Sequence, residues 1–257
     1  MSTPMRWGAP PPRGGGGGGS GSYRILGLDI ARPIAWLIAA VLVLSALGSL
    51  LERMGIPVVS YSVLFVGKVW EGEVWRLLTW APLELSPLGL VFGCLLLYFI
   101  GPDLLRRWGT RRFFSIFFGG AALVGAATCV IGRFAWPELS TIPHLGLWPM
   151  EEALIIAWAA LFPDRQILLF FALPVAGRNL IALTIAITVV MGALNGFPLF
   201  LPHFLAELAA LVYMDVISVR PWILRARLAM FQRGYKRRTA KLTRVDRDPE
   251  EPPRWTH

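Results

Sequence analysis

The sequence predicts an all-α polytopic membrane protein of six transmembrane helices. Hydrophobic residues make up 55% of the 257-residue chain, its mean hydropathy is +0.58, and several apolar runs reach membrane length. Together these exceed what a soluble core can bury. Crossing the hydrocarbon takes about 20 helical residues, fewer where the bilayer thins or neighbouring helices shield the segment.

The first span, about 33–51, is too long for a signal-peptide core and is followed by Glu52 and Arg53 rather than small residues, so it reads as retained. The second, about 88–101, is short. The third covers about 113–131 and is rich in Gly and Ala, and the fourth covers about 150–162. An apolar shelf, "ILLFFALPV", broken by Pro174 and Arg178, precedes the fifth at about 179–194, while "NGFPLFLP" reads as a loop before the sixth, about 201–217, which carries His203, Glu207 and Asp215.

Basic residues orient the chain. Arg6, Arg13, Arg24 and Arg32 precede the first span, Arg106, Arg107, Arg111 and Arg112 follow the second, Arg165 follows the fourth, and eleven Lys and Arg lie from Arg220 to Arg254. The alternate loops hold few, which places both termini in the cytoplasm. The net charge of +9 is then a topology signal and an attraction to anionic headgroups, not a nucleic-acid surface. Residues 1–32 read as a Pro/Gly-rich leader without fixed structure, 33–218 as the membrane domain and 219–257 as a basic tail open to a cytoplasmic partner. Cys94 and Cys129 fall within spans as small packing residues, and neither a metal nor a cofactor is expected. The preference for Arg over Lys points to a GC-rich bacterial genome and its inner membrane.

"GEVWRLLTWAPLELSPLGLVFGCLLLYFIGPDLLRRWGTRRFFSIFF", 72–118, resembles the opening of a rhomboid core: a long membrane-embedded first loop with a Trp-Arg pair, Trp75-Arg76, then a helix and a Gly-containing basic turn. "LFPDRQILLFFALPV" is similar to the connection between the family's fourth and fifth helices. "HFLAELAALVY" is similar to the sixth, with His203 at the family's base position. The resemblance implies a fold that, in its proteases, activates a serine on helix four with that histidine and stabilises the oxyanion with donors on helix two.

Matched to the family's Gly-x-Ser-Gly through Gly146 and Leu161-Phe162-Pro163, this sequence has Trp148 at the nucleophile position and Pro149 behind it. Gly89 and Gly93 stand where His-x-x-x-Asn would donate. The resemblance therefore implies a non-proteolytic branch, in the broad group of derlins and inactive rhomboids, that binds transmembrane client proteins laterally between helices two and five. Short helix two and the Pro174/Arg178 break would form a yielding gate.

The remaining polar residues have simpler readings. His203 is expected to bond Glu207 one turn away, and Glu151 and Glu152 to sit in a first turn favoured by Pro149 and the helix dipole, with a ligand or client contact as the alternative. Ala206 and Ala210 form a small face for packing on helix four. Trp75 and Arg76 read either as an interfacial anchor or as the lock of the first loop. Two other functions stay open. One is a protease using another serine, such as Ser86 or Ser140; the other is a small transporter built from His203, Glu207, Glu151, Glu152 and Arg178.

Overall fold

The computed structural model describes residues 22–25, 28–169 and 173–216; most of the predicted leader and the basic tail lie outside them. A two-stranded antiparallel hairpin, β1 (Ser22–Ile25) with β2 (Leu28–Ala31), occupies the end of the segment expected to lack structure. Its alternation of Tyr23, Ile25, Leu28 and Ile30 is a strand pattern. It runs directly into α1 (Arg32–Arg53), which Pro33 opens in the first turn.

The first loop is built from three short helices, α2 (Val58–Ser62), α3 (Val66–Trp70) and α4 (Arg76–Thr79). Then come α5 (Pro87–Trp108) and α6 (Thr110–Phe134), a 3-10 turn over Pro137–Thr141, and α7 (Trp148–Leu161). A second hairpin, β3 (Gln166–Leu169) with β4 (Leu173–Ala176), leads to α8 (Gly177–Asn195) and α9 (Phe197–Tyr213). The chain is thus mostly helical. α1, α5, α6 and α8 are long and apolar enough to cross a membrane, and α9 is a shorter apolar helix of 17 residues.

Three expectations change. The second span does not stop at Gly101-Pro102: α5 continues to Trp108 through Pro102, making 22 residues. The cost of an interior proline is met beyond it, where Leu104 and Leu105 are buried and Asp103 accepts from Trp158 Nε1 and Arg165, both at 2.9 Å. The apolar shelf, expected only as a break before the fifth span, contributes to the paired strands β3 and β4. Likewise, "NGFPLFLP" is not a loop, because Pro198 in the first turn starts α9 and Pro202 is accommodated within it.

The buried stripe of α1, Ile34, Leu37, Val41, Ser45 and Gly48, recurs every three or four residues and packs on α5 and, at Ser45 and Gly48, on the first loop. Glycines bring the helices close: a Cβ at Gly101 would lie 2.8 Å from Ile34 Cδ1, and one at Gly132 on α6 would lie 2.9 Å from Val66 of the first loop. Gly109 (φ 78°) ends α5 and begins α6, a backbone state that favours glycine. α7 is surrounded, packing on α5, α6, α8 and α9, so a helix of only 14 residues is shielded on nearly every side. Outward-facing Leu44, Leu47, Leu50, Val189, Val190 and Leu194 are exposed, the surface of an integral membrane protein.

Candidate functional site

The first loop is locked before any site can form. The Arg76 side chain, 4% exposed, pairs with Glu73 at 2.5 Å and donates from Nη1 to the carbonyls of Ser60 and Val63, each at 2.7 Å. One planar fork therefore ties α4 to α2, a geometry lysine cannot reproduce. Its neighbour Trp75 is exposed, donating to the Tyr61 carbonyl at 3.2 Å. Trp80 is buried on α6, its Nε1 reaching the Ala121 carbonyl at 3.3 Å. Of the pair singled out in the sequence, Arg76 is the lock and Trp75 lies on the surface.

Against this frame, the N-terminal turn of α7 carries Trp148, Pro149, Glu151 and Glu152. Pro149 shapes the turn, and Glu151 stands where the helix dipole favours an acid. No side chain makes a capping hydrogen bond there. Instead both glutamates turn inward, Glu151 1% exposed and Glu152 7%. Successive residues on a helix point about 100° apart, so the pair faces two neighbours. Glu151 lies against Gly93 of α5, while Glu152 faces α8 and α9.

On the second side, His203 Nδ1 lies 2.7 Å from Glu152 Oε2. The Thr188 hydroxyl of α8 donates to Glu207 Oε1 at 2.7 Å and stands 3.3 Å from Glu152 Oε1. The expected His203–Glu207 bond is therefore replaced. His203 reaches across to α7, and a threonine from α8 serves the glutamate on its own helix. Ala206 and Ala210 are buried and, being small, let α9 approach α7 closely.

On the first side, the glycines of α5 are filled from elsewhere. A Cβ at Gly93 would lie 2.5 Å from Glu151 Oε1 and 2.9 Å from Leu147 Cδ2. One at Gly89 would lie 3.0 Å from the Glu84 carboxyl and 3.2 Å from Trp148 Nε1. No larger residue fits on α5 while these side chains stand where they do. The bulk missing from α5 is supplied by Glu84, Trp148 and Glu151.

Glu84 is largely buried in the first loop. Its amide donates to Ser45 Oγ at 3.0 Å and its Oε1 accepts from the Ser86 amide at 2.9 Å. Glu151 Oε1 has no hydrogen-bond partner. Beside this cluster is a cavity of about 200 Å³ lined by Trp80, His144, Pro149, Phe200 and His203 among others. His144 is 3% exposed with Nε2 unpartnered. Burial pushes its imidazole down to about 4, the Leu199 backbone working the other way and the His203 charge adding to the depression.

Neither proposed alternative nucleophile reaches a histidine. Ser86 caps α5, accepting from the Gly89 amide at 3.2 Å, and Ser140 is exposed on the 3-10 turn. Among the described residues no serine hydroxyl hydrogen-bonds a histidine, and no group of three or more His, Cys, Asp or Glu is placed to hold a metal. Arg178 does not join the cluster either: exposed, it pairs with Asp164 at 2.6 Å beyond the opposite end of α7, an end that lies about 15 Å along the helix from Glu151. A transporter site of the membership expected from the sequence is not assembled.

Glu84, Thr188, Ser45 and His144 were not singled out from the sequence. Glu84 carried a signal, since a carboxylate in the apolar run "APLELSPLGL" is a functional candidate by default. Thr188 carried none, as threonine is unremarkable in a membrane helix.

The architecture defines a class first: a polytopic α-helical membrane protein whose embedded first loop is locked by arginine and whose short central helix presents polar groups to its neighbours. Residues 71–220 match the Rhomboid domain, and the chain belongs to the rhomboid family. A search of curated proteins finds no match.

Proposed function

We propose that this rhomboid-family protein is non-proteolytic and binds transmembrane client proteins laterally, between α5 and α8, affecting their stability, folding or trafficking. The observation that carries this reading is the reciprocal exchange at the head of α7. The side chain at the family's nucleophile position, Trp148, and its neighbour Glu151 occupy the space that oxyanion donors at Gly89 and Gly93 would need. An oxyanion hole cannot be restored there by one substitution, and each lost donor is worth about 3–4 kcal/mol of transition-state stabilisation.

A lateral opening is supported by packing. Among the described residues α5 packs chiefly on α1, α6 and α7, whereas α8 packs chiefly on α7 and α9, with little or no contact between the two. In the proposed topology all six long helices cross the bilayer, both termini are cytoplasmic, the membrane is a bacterial inner membrane, and the basic tail meets anionic lipid or a cytoplasmic partner.

One observation favours a second reading, residual hydrolysis: the Glu152–His203 pair is an oriented imidazole of the kind that activates a hydroxyl nucleophile. A serine-reactive fluorophosphonate separates the two. The proposal expects no labelling of folded protein together with photocrosslinking of intact membrane proteins from α5 and α8. Labelling that is lost on His203→Ala would establish the hydrolase instead, and absence of any crosslinked membrane protein would end the client-binding reading.

A further inference from the structure

Glu84, Glu151, Glu152 and Glu207 are each at least nine-tenths buried around the head of α7. Among the described residues none of the four forms an ion pair with a Lys or Arg; Glu152 meets His203, Glu207 meets Thr188, and Glu84 meets a backbone amide. Glu151 is different. Its side chain is 1% exposed, its Oε1 has no partner, and it is aimed at the glycine face of α5.

A carboxyl removed from water is tolerated in two ways: it holds a proton, or a cation comes against it. Within a bilayer the second requires a cationic group that travels in the apolar phase. A basic side chain in a transmembrane helix has that property, and it is itself costly there until it finds an acid. The two deficits are complementary.

The geometry provides a route. On the α5 side the Glu151 carboxylate meets Gly93, where even a Cβ would lie 2.5 Å from Oε1. Among the described residues α5 has little or no contact with α8, and Leu88 and Val91 on its first turns are exposed. A helix that displaces the N-terminal half of α5 uncovers Glu151 first, with Glu84 beside Gly89 one turn nearer the end and Glu152 the next residue along α7.

We infer that the clients of this site are transmembrane segments carrying a Lys or Arg near one end of the span, whose charge is taken up by Glu151 with Glu84 and Glu152 as its surroundings. This rests on the lateral-binding reading above and names the partner's chemistry. Because Glu151 is in the first turn of α7, the basic residue has to lie within about two turns of the client end at that level.

The test uses the full chain in lipid nanodiscs, with a photoreactive phenylalanine analogue at Val91 and, separately, at Val190. Synthetic Leu/Ala transmembrane peptides carry one Lys, one norleucine or one Glu at five depths. The inference expects the Lys peptide to be captured roughly tenfold or more over its norleucine twin, with a maximum at one end of the scan and exclusion of the Glu peptide. Glu151→Gln should abolish the Lys preference, so that this variant captures its Lys and norleucine peptides equally, and Glu151→Asp should retain part of it.

Equal capture of Lys and norleucine peptides, or a preference that survives Glu151→Gln, overturns the inference and leaves lateral binding standing. Capture of none of the peptides at either position removes both. Where Glu151→Gln does not fold, the Lys-to-norleucine comparison on the unaltered protein still decides, since it changes only the peptide.

Discussion

Gly93→Ala probes the exchange of bulk between α5 and α7. The added methyl would stand 2.5 Å from Glu151 Oε1, 3.1 Å from its Oε2 and 2.9 Å from Leu147 Cδ2. The glutamate is 1% exposed and Leu147 is fully buried, so the overlap has to be relieved by turning two side-chain ends within a packed interior or by a small shift of α5. Overpacking of this kind costs about 1–3 kcal/mol, against which alanine regains about 0.5–1 kcal/mol of helix preference over glycine. A net loss of about 1–2 kcal/mol is expected. In the double variant Gly93→Ala with Glu151→Ala the overlap with the carboxylate is gone and only the Leu147 contact remains, so the two substitutions should couple favourably by about 1 kcal/mol. Reversible unfolding of the four proteins in mixed micelles gives the cycle. If Gly93→Ala is as stable as the unaltered protein and the two changes add without coupling, the reciprocal-packing argument is wrong.

Arg76→Ala should lower stability by about 3 kcal/mol or more, because it strands the partly buried Glu73 and two loop carbonyls, and Arg76→Lys should recover only part; both are read by unfolding. Thr188→Val keeps the shape but removes the hydroxyl that donates to Glu207, and should cost about 1–3 kcal/mol in the same assay. His144 is held neutral in the fold, with its pKa depressed to about 4 against about 6.5 unfolded. Its contribution is therefore complete above about pH 6.5 and is lost as pH falls through 4, a loss of about 3 kcal/mol. His144→Phe should flatten that part of the stability profile, and an unchanged profile would refute the assignment.

Much of the fold was legible because its determinants are local and redundant. Apolar runs of the right length, arginine clusters at alternate ends, and the order Trp75-Arg76, then the basic turn, then Leu161-Phe162-Pro163 point the same way. Boundaries fail near prolines: from sequence the second span ends just before Pro102, and the run holding Pro198 and Pro202 reads as a loop. Pro102 and Pro202 sit inside helices because tertiary contacts, such as Asp103 with Trp158 and Arg165, outweigh the local cost. The hairpin of β3 and β4 was hidden because an apolar run of strand length does not announce its state.

At the site, composition indicated which positions are unusual but not which side chains meet. Glu151 and Glu152 were visible as intramembrane acids. That one faces a glycine on α5 and the other a histidine on α9 depends on helix phase and on partners far away in sequence. His203 illustrates the same limit: the nearest acid along its own helix, Glu207, is not the one it meets.

The claim that matters most is that this rhomboid-family chain holds membrane proteins without cutting them. The direct measurement is the size of what photocrosslinks to α5 and α8 in native membranes, read by denaturing electrophoresis and mass spectrometry. The account predicts adducts containing full-length membrane proteins, with no accumulating fragment that depends on His203. Adducts to truncated proteins whose new ends fall within a transmembrane segment, lost on His203→Ala, would contradict it.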